Sequence, residues 1–299
     1  MFTMMNNARL AVGIQGVAVA EAATQKATAY AKERTQGKAP EWTGGGMSPI
    51  IEHPDVTRML LTMKALTQGA RAISYVCAHA IDMSHRATAN QQWLERAALL
   101  TPIAKSFSTD VGVDVASLGI QVHGGMGFIE ETGAARYLRD ARIAPIYEGT
   151  NGIQAIDLVT RKLTLSNGEQ VDGLIAELKQ IADQVRHSNL DGFGATANRL
   201  DAAITDLGEA TDWVLAQMRD GKAAEALAGA TPYQRLFGLV LTGCYLAKGG
   251  LAQAPDGGAE GRIALCRFAA ENLLSEVTAL KDRVINGAAS LAAAKIVLA

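Results

Sequence analysis

At 299 residues, 48 % of them apolar and only 5 % aromatic, the chain can bury one large core or two ordinary ones without covalent staples. Lys plus Arg (28) nearly balance Asp plus Glu (30), which excludes the strong field that gathers nucleic acid or an anionic membrane from a distance. The three cysteines, Cys77, Cys244 and Cys266, are too widely spaced to suggest a disulfide framework or a zinc site, and a reducing cytoplasm is expected.

In chain order, apolar and small residues recur at helical spacing from Met4 to about Lys32, without proline, and predict one long helix. Gly37, Pro40, Gly44, Gly45, Gly46 and Pro49 then make a loop. A second helix is predicted from about His53 to Arg86, with Pro54 and Asp55 in a first turn that suits both. After a polar patch, Arg86 to Gln92, a third runs to about His123, with Pro102 as a candidate break and Gly124 and Gly125 as its stop. A short helix is predicted over Thr132 to Arg142. Pro145 predicts an extended APIYEGT segment, followed by a helix from Thr150 that stops at Ser166, Asn167 and Gly168.

A domain boundary is placed there, giving units 1–167 and 168–299. The second shows helical pattern near 171–187, 192–219, 232–252 and 261–285, with APDGGAEG between the last two. The fold class is therefore all-α, one helical bundle followed by another. The most apolar run, Leu236 to Ala247, falls short of the ~20 residues that span a bilayer, so no membrane span is expected.

From Gln121 to Gln154 the chain reads QVHGGMGFIEETGAARYLRDARIAPIYEGTNGIQ. A glutamine, a GGxG loop, RDAR, IYEGT and a closing IQ follow in order, and YAKERTQG lies upstream. This pattern resembles the signature region of the acyl-CoA dehydrogenases over roughly residues 1 to 165. With the extra bundle it is similar to the methylthiopropanoyl-CoA dehydrogenase-like branch, whose members carry a carboxyl-terminal extension.

The resemblance implies an enzyme that removes the α proton of an acyl-CoA thioester and passes the β hydrogen as hydride to FAD. Glu148 matches the family's base. Other branches put the base at the position of Ala8, which cannot serve. On the same footing, Arg9 and Asn6 would contact CoA, and Tyr147 and Gly149 would line the substrate. Arg34 and Gln36 would meet the flavin pyrophosphate, Gly124, Gly125 and Gly127 the adenosine half in a neighbouring subunit, and Gln121, Thr150 and Gln154 further parts of the cofactor. A homo-oligomer and electron transfer to an electron-transfer flavoprotein are implied as well, with no metal and no nucleic acid.

Family members carry an amino-terminal helical domain and a middle β domain ahead of this one. The chain is therefore expected to belong to a protein about twice as long, and to be inactive alone. Three departures bear on the flavin contacts: Thr35, Gln36 and Gly37 stand where an aromatic residue is frequent, Gly152 replaces a glutamine, and Pro54 replaces another.

The residues also have plainer readings. Glu148 could be a solvated loop carboxylate, Thr150 an ordinary N-cap, and GGMG a helix-ending turn. His79 and His85 are six apart and do not form a helical metal pair. Trp42, Trp93 and Trp213 read as packing residues. Arg136, Arg139, Arg142 and Asp140 suit either a subunit interface or a solvated helix face. A catalytically inactive helical oligomerisation module is the alternative function.

Overall fold

The computed structural model describes every residue except Met1, Ala87, Ala89, 253–257 and Ala299. Three long helices carry the first unit: α1 (Phe2–Glu33), α2 (Pro54–Arg86) and α3 (Asn90–His123). Small residues on α1, among them Ala20, Ala23, Ala27 and Ala31, are buried. Gly13 and Gly16 lie directly on the backbone of α3. A Cβ at Gly13 would stand 2.6 Å from the Ala104 carbonyl oxygen, and one at Gly16 2.3 Å from that of Ser108. Larger side chains fill the remaining space, with Met63, Leu66 and Ile73 from α2 meeting Leu99, Leu100, Ile103 and Phe107 from α3.

The candidate break at Pro102 does not occur, and α3 runs through it unbroken. An interior proline costs a helix about 3 kcal/mol, and here both flanks of the site are buried. The Pro102 carbonyl accepts from Gln234 Nε2 at 2.9 Å and from Ser106 Oγ at 2.5 Å. Beyond α3 come a single-turn α4 (Gly125–Phe128) and α5 (Ala134–Ala141). The latter starts later than predicted, because Glu130–Thr132 form a 3-10 turn closed by Gly133 at φ 70°.

APIYEGT is not extended but a run of turns. The Ile146 and Tyr147 N–H groups both donate to Ile143 O (3.0 and 3.2 Å), and Asn151 N–H donates to Pro145 O at 2.9 Å. Proline restricts the residue before it and leaves its own carbonyl free to close a turn. The helix that follows is α6 (Asn151–Asp157), which widens into a π-turn over Leu158–Lys162 and a 3-10 turn over Leu165–Gly168. It is thus shorter than the predicted one.

The second unit comprises α7 (Glu169–His187), α8 (Thr196–Arg219), α9 (Ala223–Ala228), α10 (Ala230–Leu251), α11 (Ala259–Asn272) and α12 (Ser275–Ala294). The single helix predicted over 261–285 is two. The Leu273 and Leu274 N–H groups both turn back to Ala269 O (2.9 and 3.2 Å), which drops Leu274 into the core beside Gly243. Much of the predicted APDGGAEG linker lies outside the described residues, as do Ala87 and Ala89 of the polar patch.

α10 joins the two units, and its sides press on both α2 and α3. A Cβ at Gly238 would meet the Phe107 ring at 2.2 Å, and one at Gly69 of α2 would meet the Thr242 side chain at 2.3 Å. One continuous apolar core therefore extends from Val17 to Val284. Among the described residues the only strand-like pairing is an isolated antiparallel bridge, Thr35 with Pro49, and no helix is long and apolar enough to cross a membrane.

Two contrasts test this packing. Gly16→Val should lower the unfolding free energy by about 1–3 kcal/mol, because the new side chain must push α1 and α3 apart. Gly173→Ala, at an exposed α7 position where a Cβ meets nothing within 4 Å, should raise it by roughly 0.5–1 kcal/mol. Urea denaturation decides both.

The three free thiols are buried, and burial pushes Cys77 up to about 11, Cys266 up to about 12 and Cys244 upwards as well. An unfolded thiol ionises near 9.0, so the stability held by the neutral buried thiols is complete below that pH and falls as pH rises from 9 to 12. The native chain should be inert to Ellman's reagent at pH 8 and react at three thiols once unfolded.

Candidate active site

The turn after α5 presents two consecutive residues in left-handed conformation, Glu148 at φ 55° and Gly149 at φ 81°. A left-handed backbone is costly for a glutamate, and surrounding contacts must impose it. They come chiefly from α3. Lys105, fully buried, places Nζ 2.8 Å from Gly149 O and 2.8 Å from Asn151 Oδ1. Asn151 Nδ2 in turn reaches Asp110 Oδ1 at 2.7 Å and Ser106 O at 3.1 Å. Burial pushes the Lys105 ammonium down to about 8, against the neighbouring Asp110 charge and with the help of Arg9. Burial likewise raises the Asp110 carboxyl, which the Asn151 hydrogen bond opposes.

From the other side, Gln154 is fully buried and donates Nε2 to Glu148 O at 3.3 Å, while its Oε1 is buried without a partner. Thr150 is the N-cap of α6, its Oγ1 accepting from Ile153 N–H at 3.3 Å. The Tyr147 hydroxyl donates to Gln15 on α1. Glu148 itself is exposed, on a segment whose Ala144 is buried and whose Pro145, Tyr147 and Gly149 are half-buried. Its apolar neighbours Ile146 and Ile153 are 52 % and 50 % exposed, so neither dries the site.

Arg9 is only 12 % exposed and gives Nη1 to Asp157 Oδ2 at 3.4 Å. Asp157 also receives Arg161 Nε at 2.5 Å, and the Arg9 Nε is buried without an acceptor. Asn6 and Arg9 line one cleft of about 450 Å³ together with Ser84, His85 and Lys162. Burial lowers the Lys162 ammonium as well.

A separate cavity of about 640 Å³ gathers Arg34, Gln36, Gln121, Gly124 and Gly125, and its lining contains no carboxylate. Gly124 sits at φ 60° with open space where a Cβ would stand. Gln36 O meets His53 Nε2 at 2.9 Å, and His123 stacks on Tyr30 with ring centres 4.4 Å apart. Gly127 lies apart from this cavity. It is buried, and a Cβ there would be 2.3 Å from Ile120 O, so it packs α4 onto α3. The predicted cofactor positions other than Gly127 thus fall in two places, the cavity and the stretch from Thr150 to Gln154.

The arginines near Asp140 form exposed ion pairs, Arg136 with Asp140 at 3.4 Å and Arg139 with Glu130 at 2.5 Å. His79 packs edge-on against Trp93. Among the described residues, no group of three His, Cys, Asp or Glu side chains could hold a metal ion. Sequence reasoning missed Lys105, Asn151, Asp157 and Gln15. A signal existed for the first, since Lys105 is the single charge between Arg96 and Asp110.

This all-helical fold is shared with the C-terminal helical part of solved acyl-CoA dehydrogenases. It superposes on the Bacillus anthracis acyl-CoA dehydrogenase solved with FAD at a TM-score of 0.74, with 19 % identity over 96 % of this chain and 50 % of that one. Residues 1–163 match the family model "Acyl-CoA dehydrogenase, C-terminal domain", and residues 174–295 match "Acetyl-CoA dehydrogenase C-terminal like". The chain belongs to the acyl-CoA dehydrogenase family.

It is similar to 3-methylmercaptopropionyl-CoA dehydrogenase of Ruegeria pomeroyi, 40 % identical over 99 % of this chain and 52 % of that protein. A butyryl-CoA dehydrogenase of Syntrophomonas wolfei is 32 % identical over 93 % of this chain and 47 % of that protein. The chain spans about half the length of the curated relatives it matches.

Two glycines separate strain from crowding. Gly149→Ala forces a Cβ into left-handed backbone and to 2.8 Å from Gln154 Nε2, whereas Gly133→Ala, at φ 70° and ψ 6° with nothing nearer than Lys26 Nζ at 3.9 Å, meets only the backbone cost of roughly 1–2 kcal/mol. Thermal unfolding should therefore show a larger loss for Gly149→Ala. Equal losses would mean that Gln154 does not brace the turn.

Proposed function

We propose that this chain is the carboxyl-terminal portion of a flavin-dependent enzyme that dehydrogenates an acyl-CoA thioester between its α and β carbons, with Glu148 as the base. The observation that carries this reading is the presentation of Glu148 on a left-handed turn fixed from beneath by Lys105, Asn151 and Gln154. An α proton is weakly acidic, so its base must be aimed and held in place. Ala8 offers no competing base on α1. The exposed Ile146 and Ile153 give the rest of the enzyme an apolar surface to close on, and closure would dry the carboxylate and raise its affinity for the α proton.

FAD, when bound, supplies the acceptor for the β hydrogen. Arg34, Gln36, Gln121, Gly124 and Gly125 would hold its adenosine side, since their cavity offers a guanidinium, two amides and glycine backbone with no opposing carboxylate. Thr150, exposed, would meet it near the turn, and Gln154, fully buried, would support that side through its bond to the Glu148 carbonyl. Gly127 would support this side through packing alone. Asn6 and Arg9 would face the CoA portion from their cleft, and Tyr147 and Gly149 would bound the acyl group. The solved Bacillus anthracis neighbour carries FAD, and Caenorhabditis elegans ACDH-11, with a TM-score of 0.71, is solved with C11-CoA. Both support the class of cofactor and substrate proposed.

A homo-oligomer fits the 83 % exposure of Phe128 beside exposed Met126, and an electron-transfer flavoprotein is proposed as the electron acceptor.

The test is Glu148→Gln in the flavin-loaded enzyme. Stopped-flow bleaching by acyl-CoA should slow by about a thousandfold or more, while flavin content and acyl-CoA affinity stay nearly unchanged. Normal bleaching would rule out Glu148 as the base.

A further inference from the structure

Lys105 is fully buried, yet among the described residues it has no ion-pair partner. Its ammonium is spent on two neutral acceptors, the Gly149 carbonyl and the Asn151 side chain, both at 2.8 Å. Burying an ammonium without a contacting carboxylate is unfavourable, and a well-packed apolar residue would serve stability better at such a position. The group must therefore do something that an apolar side chain cannot. What it holds lies one residue after Glu148, where two consecutive left-handed residues fall within the family's IYEGT motif.

We infer that Lys105 is the positioning residue for Glu148: its ammonium ties the Gly149 carbonyl to the Asn151 side chain and so fixes the left-handed turn from which the carboxylate projects. This inference rests on the reading of Glu148 as the base.

The ammonium suits the task because a charged donor binds a carbonyl about twice as strongly as a neutral one. The charged groups that act on it are Asp110 on its own helix, Arg9 from α1 and Glu148 from the turn. Asp110 reaches it through Asn151, which links the two charges across a neutral amide. With the ammonium pushed down to about 8, the tie weakens as pH rises through that value. The aim of the base should loosen with it.

The test uses flavin-loaded enzyme carrying Lys105→Met, Asn151→Ala or both, beside Glu148→Gln. Lys105→Met should cut the limiting rate of flavin reduction by about ten- to a hundredfold while the acyl-CoA dissociation constant changes less than about threefold. Wild-type enzyme should lose rate above about pH 8, and Lys105→Met should lack that limb. The double variant should be no slower than the slower single one, since both changes release the same turn.

If Lys105→Met does not fold, Asn151→Ala decides, and a wild-type rate in it overturns the inference. A wild-type rate with an unchanged alkaline limb in Lys105→Met also overturns it, as does a loss that merely follows lost flavin and lowered thermal stability. If Lys105→Met is unaffected while Glu148→Gln is inactive, only the positioning role fails. If Glu148→Gln is itself active, the reading of the base fails first.

Discussion

Where α1 crosses α3, the Ala104 and Ser108 carbonyls face Gly13 and Gly16 with no room for a side chain between them. That contact sets the spacing of the first unit. It leaves the α3 residue next to Ala104, Lys105, fully covered, so its four-carbon stem can deliver the ammonium only into the polar pocket beneath the α5–α6 turn. It also holds the start of α1 near α6, where Arg9 meets Asp157. A wider crossing would separate Arg9 from Asp157 and uncover Lys105 beside the turn that bears Glu148.

The site thus divides into a rigid foundation and an open face. Beneath the turn, Lys105, Asn151 and Asp110 form a hydrogen-bonded chain and buried Gln154 bonds the Glu148 carbonyl, which is how a strained backbone conformation persists. Above it, the carboxylate and the flanking isoleucines are exposed. A base needs both a fixed aim and a dry surrounding, and the chain provides the first by itself. On the proposed role of Glu148, the low-dielectric half of the requirement would fall to the rest of the enzyme closing over Ile146 and Ile153.

The second unit belongs to that foundation. Phe107 lies two residues beyond Lys105 on α3 and is clamped by Gly238 of α10, while Gln234 of α10 bonds the Pro102 carbonyl three residues before it. Helix α10 therefore braces the stretch of α3 that carries the lysine. The same clamp explains how α3 tolerates Pro102, since contacts on both sides offset the lost backbone hydrogen bond.

The helical class, the three long helices to within a few residues, and the glycine and IYEGT motifs that mark the family were all legible in the amino-acid order. These signals are local: period, caps and turn residues act over a few positions, and Thr150 capping α6 is an example. That order did not reveal that Pro102 would be absorbed, that APIYEGT would curl into turns, or that 261–285 would bend at Leu274, because each outcome depends on what packs against the segment. The partners of the site were settled by tertiary packing alone. Lys105 lies 44 residues from Gly149 and Arg9 lies 148 from Asp157, distances along the chain that only the packing of helices against one another reduces to a hydrogen bond.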